Sequence, residues 1–287
     1  MTYRTILVSI DNSDSAHKTL SLAFSIAKAS GAHVTVIHVR SDPKDTVPLL
    51  GEGMSVAMIE DMIEVSEREG MAGAIKAQDI FNTFVHDFGA IVSETPKNSG
   101  FSACLIEEIG REDEALASHG KLVDLIFAPR PTEDSEVAVN LALNAALFET
   151  GRPVLVVPPS GNTDFGKNIV ISWNGSPQSS RAVASAMPIL RQANTVTIFT
   201  VASDQISSDR IPALSEYLAW HGVQSNTEKI LGPTHSVGPK LLEEISRVKA
   251  DLLIMGAYTH SRVRRLILGG VTRHILEGAP IPVMMAH

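Results

Sequence analysis

The residues of this 287-residue chain best placed to do chemistry lie near its end. The run Gly256-Ala-Tyr-Thr-His-Ser-Arg-Val-Arg-Arg-Leu-Ile-Leu-Gly269-Gly-Val-Thr272 starts where an apolar, strand-like stretch stops, and closes where a helical stretch begins. Gly256 is expected to let the chain turn sharply as it leaves the strand. Paired glycines at a helix start, Gly269 and Gly270, let backbone N–H groups approach an anion, and the helix dipole adds attraction. Thr272, in the first turn, can offer a hydroxyl. Arg262, Arg264 and Arg265 make the loop between them the most basic stretch of an acidic chain. Together these residues suit a phosphate cradle. The same types also suit a plain helix cap behind a solvated loop, and the residues alone leave both readings open.

A second pair of positions is Asp11 and Asn174, each directly after a short β-branched run. A carboxylate or amide there can hydrogen-bond a ribose or a base edge. Asp-Asn-Ser and Asn-Gly-Ser are equally turn and N-cap sequences. Other chemistries find less support. The ten histidines are scattered, with no HxxxH pair and one cysteine in the chain, so no zinc cage is expected. No Gly-x-Ser-x-Gly elbow surrounds the adjacent His260 and Ser261, and neither a Walker A loop nor a GxGxxG after the first strand is present. Cys104 sits in an apolar stretch and reads as a core thiol, and Trp173 as a packing residue.

The elements that must position these residues come from a repeat. Arg4-Thr-Ile-Leu-Val-Ser-Ile-Asp-Asn-Ser13 aligns without gaps on Lys167-Asn-Ile-Val-Ile-Ser-Trp-Asn-Gly-Ser176. A helical stretch follows each, Ser15–Ser30 and Ser179–Gln192. Each then gives a strand-like run, His33–Val39 and Thr195–Val201. Later, Asp124-Leu-Ile-Phe-Ala matches Asp251-Leu-Leu-Ile-Met, and Arg152–Val157 matches Ile281–Met285. Middle strands are expected at Ser102–Ile109 and Gln224–Leu231. Strands alternating with helices predict βαβ units and a parallel sheet. The turn-rich Pro158–Gly166 segment places a domain boundary near residue 161, giving domains 1–160 and 161–287. The first domain carries an insertion, Pro43–Gly89, that reads as one or two long helices, Ala57–Arg68 and Met71–Phe88.

In an open parallel sheet, ligands bind beyond the carboxyl ends of the strands, where the strand order reverses. The first half reads Ala128-Pro-Arg-Pro-Thr-Glu-Asp-Ser at that place. Pro129 and Pro131 have no N–H to donate. Glu133, Asp134 and Glu136 would repel an anion, and no glycine occurs between Gly120 and Gly151. The first half is therefore expected not to hold an anion in the manner of the second.

These motifs make the chain resemble the universal stress protein family in its tandem form, over nearly its whole length. ATP-binding members carry Gly-x2-Gly-x9-Gly-(Ser/Thr) after the fourth strand and an Asp at the end of the first. Gly256 matches the first glycine and Gly269 the third. Thr259 stands at the second glycine and Gly270 at the Ser/Thr, with Val271 and Thr272 following as in the family. Asn174 takes the place of the Asp. A threonine held at positive φ is strained by about 1 kcal/mol or more. A lost neutral hydrogen bond costs about 0.5–1.5 kcal/mol. Neither departure alone abolishes a site.

The resemblance implies an α/β fold: two tandem Rossmann-like, doubly wound domains, each with a five-stranded parallel sheet in the order 3-2-1-4-5. It implies that the last strands, around Pro153–Val157 and Pro282–Met285, lie at a pairing edge between domains or subunits. It implies a stress-response protein whose C-terminal domain binds an adenine nucleotide, ATP or AMP, with Mg accompanying it. Gly256, Thr259, Arg262, Gly269, Gly270, Val271 and Thr272 would surround the phosphates, Asn174 would meet the ribose, and the main chain near Val201 the adenine. No general base is evident. The alternatives are an interaction or scaffold module without nucleotide, and a slow nucleotide hydrolase with His260 activating water.

Composition bounds the partners. The net charge of −8 disfavours nucleic acid and anionic membranes, which need a basic field. No stretch reaches 18 uninterrupted apolar residues, and Asp11 and Asp14 come too early for a signal peptide. A cytoplasmic protein is expected, its halves paired within the chain, with a homodimer partner and an unidentified protein as further partners.

Overall fold

The computed structural model describes residues 2–10, 14–43, 55–96, 100–131, 137–159, 165–201, 211–230, 237–257 and 270–287. The first half runs β1 (Thr5–Ser9), α1 (Asp14–Ser30), β2 (His33–Arg40), α2 (Val56–Phe88), β3 (Ile91–Val92), β4 (Ser102–Ile109), α3 (Glu112–His119), β5 (Leu125–Pro129), α4 (Val137–Glu149) and β6 (Val154–Val157). The second runs β7 (Asn168–Trp173), α5 (Pro177–Leu190), β8 (Thr195–Val201), α6 (Ile211–Trp220), β9 (Asn226–Ile230), α7 (Val237–Arg247), β10 (Leu252–Gly256), α8 (Gly270–Gly278) and β11 (Val283–Ala286).

All eleven strands join one sheet in the order β3-β4-β2-β1-β5-β6-β11-β10-β7-β8-β9. Within each half the strands are parallel, as right-handed βαβ crossovers require. The second half has the order 3-2-1-4-5 that the resemblance implied. The first half has the same order with β3 added at its outer edge. β3 was not foreseen, because two residues carry no periodicity. The halves meet at β6 and β11, which pair antiparallel through Val156–Val283, Leu155–Met284 and Val154–Met285. Each half is thus turned end for end relative to the other.

The apolar alternation of the strands builds two cores. On one face, α1, α2, α5 and α6 cover Ile6, Val8, Phe127, Ile171 and Ile254. On the other, α3, α4, α7 and α8 cover Leu7, Ile126, Val170 and Leu253. Side-chain contacts cross the junction. The buried Tyr3 hydroxyl donates to Ser185 O at 2.7 Å, and burial holds that phenol protonated. Phe148 packs edge-on to His287 at 4.8 Å. A matching clip closes each half's sheet. Asp124 Oδ2 accepts from the N–H groups of Arg4 and Thr5, and Asp251 accepts from those of Gly166, Lys167 and Asn168. The aspartate shared by the two repeats therefore ties the start of strand 1 to the start of strand 4.

Of the insertion, Val56–Phe88 form one helix of 33 residues, about 50 Å at 1.5 Å per residue. Ser55 caps its start, accepting from Met58 N, and Gly89 ends it at φ 71°, a conformation that glycine takes without Cβ strain. Its second half packs Gly73, Ala77, Ile80 and Phe81 into the core, with Phe84 and Phe88 against Phe24. Its first half leaves Val56, Met58 and Val65 exposed. Among the described residues, no helix is long and apolar enough to cross a membrane.

Leu155 is fully buried in β6 beside the junction. Leu155→Ala should cost about 2–5 kcal/mol. Both tryptophans, Trp173 and Trp220, lie in the second half. The urea midpoint read by tryptophan fluorescence should fall together with that read by far-ultraviolet circular dichroism. A fluorescence midpoint left at the wild-type value would show instead that the halves unfold separately.

Candidate functional site

The strand order of the second half reverses between β10 and β7. The carboxyl ends of these two strands are where a ligand crevice forms in a doubly wound sheet. At the end of β7 the chain leaves Trp173, passes the exposed Asn174, turns at Gly175 (φ 72°) and enters α5. Ser176 is the N-cap, its Oγ accepting from Ser179 N at 3.1 Å. Ser179 Oγ donates back to Ser176 O at 2.9 Å, and Pro177 starts the helix with a preset φ. Asn174 Oδ1 accepts from Ser176 N at 3.1 Å. The amide oxygen therefore builds the turn, the second of the two roles that its sequence allowed.

Gly256 closes β10, and the structure corrects the reason for it. Its φ is not in the left-handed region, so no sharp turn demands glycine there. What demands it is space. A Cβ at 256 would stand 2.6 Å from Ser179 N and 2.9 Å from Gln178 C. The first turn of α5 lies directly on the end of β10, and only a residue without a side chain lets backbone meet backbone. Ala257 follows, buried, with its N–H on Ala286 O and its carbonyl accepting from His287 Nδ1.

Gly270 opens α8, exposed, with nothing within 4 Å of where a Cβ would stand. Val271 is half-buried beside it. Thr272 is buried in the same turn, at 5 % exposure, so its side chain belongs to the packing behind the helix start. Val201 ends β8 in register with Ile230. Thr259, Arg262 and Gly269 lie outside the described residues, as do Asp11, His260, Arg264, Arg265, Glu133, Asp134 and Glu136. The structure thus brings the Asn174 turn and Gly256 together at one strand edge, through the start of α5.

Among the described residues, two polar atoms at this edge have no hydrogen-bond partner although both are buried: Trp173 Nε1, a donor, and Gln178 Oε1, an acceptor. Trp173 is the last residue of β7, and the Gln178 backbone and Cβ border the space at Gly256. A buried polar group left unpaired costs about 1–3 kcal/mol. The sequence reading gave Trp173 a packing role and did not single out Gln178. A polar tip on an aromatic at a strand's carboxyl end was the available signal for the first. Only the fold reveals the second.

At the matching edge of the first half, Pro129 pairs with Val157 as Gly256 pairs with Ala286. Arg130 N then donates to Val157 O as Ala257 N donates to Ala286 O. A cavity of about 10 Å³ beside Pro129, lined by Ser9, Glu112, Leu116, Ala128, Val139, Ala142 and Leu143, is no larger than one water. Among the described residues, no group of three metal-ligating side chains occurs. Cys104 is buried, as read from the sequence. Its Sγ lies 3.4 Å from His33 Nε2, and burial pushes its pKa up, which disfavours a reactive thiolate.

The sequence profile described as the universal stress protein family matches residues 2–89 and 166–287. The unmatched stretch between them includes the strand end at Pro129. The chain is 20% identical over 298 residues to a curated universal stress protein from Synechocystis sp., covering 98% of this chain and 99% of that one. Its fold is similar to the crystal structure of a universal stress protein from Archaeoglobus fulgidus, with a TM-score of 0.72 at 14% identity, covering 98% of this chain and 95% of that one. It is also similar to a functionally unknown protein from Pseudomonas aeruginosa PAO1, with a TM-score of 0.55 at 14% identity, covering 98% and 92%.

Gly256→Ala should destabilise the chain by about 1–3 kcal/mol, because the new methyl meets helix backbone that no rotamer change can move aside. Urea titration reads this as a lower midpoint. An unchanged midpoint would remove the close-approach explanation for this glycine.

Proposed function

The chain belongs to the universal stress protein family, and from that premise we propose that the carboxyl edge of its second half binds an adenine nucleotide, ATP or AMP, and that this binding regulates the protein. The observation that carries the reading is the pair of buried, unpartnered atoms, Trp173 Nε1 and Gln178 Oε1, at the switch point between β7 and β10. A buried donor and a buried acceptor left unpaired at one strand edge favour a ligand that supplies both complements. The edge of a purine base or a ribose does so. A purely apolar ligand does not.

The other residues take roles by position. Gly270 and Val271 open α8, where first-turn N–H groups have no carbonyl within the helix and face an anion favourably. Thr272 holds that turn from inside. Gly269, Thr259 and Arg262 precede it in the chain and would complete the phosphate side, with Mg arriving on the phosphates of ATP. Asn174 supports the ribose side through its turn, and the main chain at Val201 meets the base. Gly256 acts indirectly, by letting α5 and the strand edge close on each other. No residue placed here is a general base, so the reading is of binding and not of turnover. Regulation then follows from differential affinity: a nucleotide that fits one conformation better shifts the population toward it.

Calorimetric titration of the nucleotide-stripped full chain with Mg-ATP and with AMP tests this. The expected result is about one equivalent in the micromolar range, roughly −8 kcal/mol, lost in Gly269→Val with the circular dichroism spectrum unchanged. Trp173→Phe keeps the ring and removes the N–H, and should weaken binding roughly two- to tenfold. Binding that survives Gly269→Val would overturn the assignment to this edge. No binding up to millimolar nucleotide would leave the chain an interaction module.

A further inference from the structure

Two side chains of the first half reach across the junction and end on backbone carbonyls of the second. The buried Tyr3 hydroxyl donates to Ser185 O, within α5. Arg130 Nη1 donates to Ala279 O, the carbonyl directly after the last residue of α8. These are the two helices that open at the carboxyl edge of the second half. α5 follows β7 and starts against Gly256, and α8 starts at Gly270. Tyr3 therefore holds one wall of the proposed site and Arg130 the other, both from behind. Nine residues of α8, about 14 Å at 1.5 Å per residue, separate its pinned end from the end that would meet phosphate.

Both contacts meet a backbone that can use a donor. The last carbonyls of a helix have no partner within it and carry the negative end of its dipole. A guanidinium there fixes where α8 ends. In α5, Pro188 takes one N–H out of the helix ladder three residues after Ser185, and the phenol adds a donor in that turn. The contacts also run one way. The gapless repeat puts Gly166 at the place of Tyr3. The matching ends of strand 4 put Ala257 at the place of Arg130. Neither carries a side-chain donor to return, and a Cβ at 166 would already stand 2.9 Å from Ile189 Cγ2. The half with Pro129 at its strand end thus gives support, and the half with Gly256 receives it.

We propose that the first half sets the nucleotide affinity of the second, with Tyr3 and Arg130 as positioning residues that keep α5 and α8 in the bound arrangement before the ligand arrives. The inference rests on the reading of the second half as a nucleotide site. A ligand that meets Trp173 and Gln178 at one helix and the first turn of α8 at the other needs the two helices at one fixed separation. Pinning both in advance removes an ordering cost that binding would otherwise carry. The first half then acts on the site through two rigid helices, without contributing an atom to the ligand's contacts. Its role is regulation by coupling: a change at the junction and a change in affinity are linked.

Calorimetric titration of the full chain with AMP and with Mg-ATP tests this. Tyr3→Phe removes one oxygen, and Arg130→Met removes the guanidinium. Each should raise Kd about three- to tenfold with the stoichiometry unchanged. The double variant should lose roughly the product, since the two residues act on different helices. Arg130→Lys restores a charged donor and should recover most of the loss. Leu155→Ala, at the same junction, separates positioning from plain stability: it should lower the urea midpoint and leave Kd unchanged. Tyr3→Phe keeps the ring in place, so the test stands on it alone where Arg130→Met does not fold. Wild-type affinity in either folded variant overturns the inference and leaves the nucleotide site standing. So does a loss of affinity in Leu155→Ala as large as theirs. A wild-type chain that binds neither nucleotide overturns both readings together.

Discussion

The antiparallel pairing of β6 with β11 is the constraint on which the rest of the molecule depends. Each half ends in a short, wholly buried strand, VLVV in one and VMMA in the other. Such a strand cannot be left at an edge without exposing both apolar surface and unpaired backbone. Pairing the two satisfies both in one step and makes a single eleven-stranded sheet. It also sets the orientation. Because the central pair is antiparallel, the carboxyl edge of one half lies on the side of the sheet where the other half has its amino edge. Tyr3 on Ser185 and Arg130 on Ala279 then hold the halves together from outside the ladder.

Within that frame the halves differ most at one register position. Gly256 and Pro129 occupy equivalent places at the end of strand 4. Glycine there admits the start of α5 to backbone contact, beside the Gln178 backbone and Cβ. Proline there fixes φ and removes an N–H. A small difference in covalent structure, placed at a strand-order reversal, thus divides two copies of one fold into different electrostatic surfaces.

Much of this organisation was legible in the sequence, for reasons particular elements make plain. Buried parallel strands such as Leu125–Pro129 and Leu252–Gly256 are continuous apolar runs, and a repeated Asp before each marks the clip that closes the sheet. The Gly256 position was legible too, but its reason was not, since a close approach between residues 256 and 179 leaves no local pattern. β3 is too short to show periodicity. Gly70 and the residues around it read as a possible break between two helices, yet α2 runs through them: a helical glycine costs only roughly 1 kcal/mol, and the buried Gly73, Ala77, Ile80 and Phe81 follow directly.

The two outer edges of the sheet complete the picture. Once β6 and β11 have paired, β3 and β9 stand at the two ends of the sheet among the described residues. A sheet this wide would be a ready template for runaway addition of further chains. β3 offers just two residues, too few to seat a foreign strand. β9 carries Glu228 and Lys229, and Glu228 is engaged by Arg247. A charged edge at one end and a truncated one at the other guard against fibril-like growth. The protein can therefore fuse its two halves into one continuous ladder and still halt its own extension.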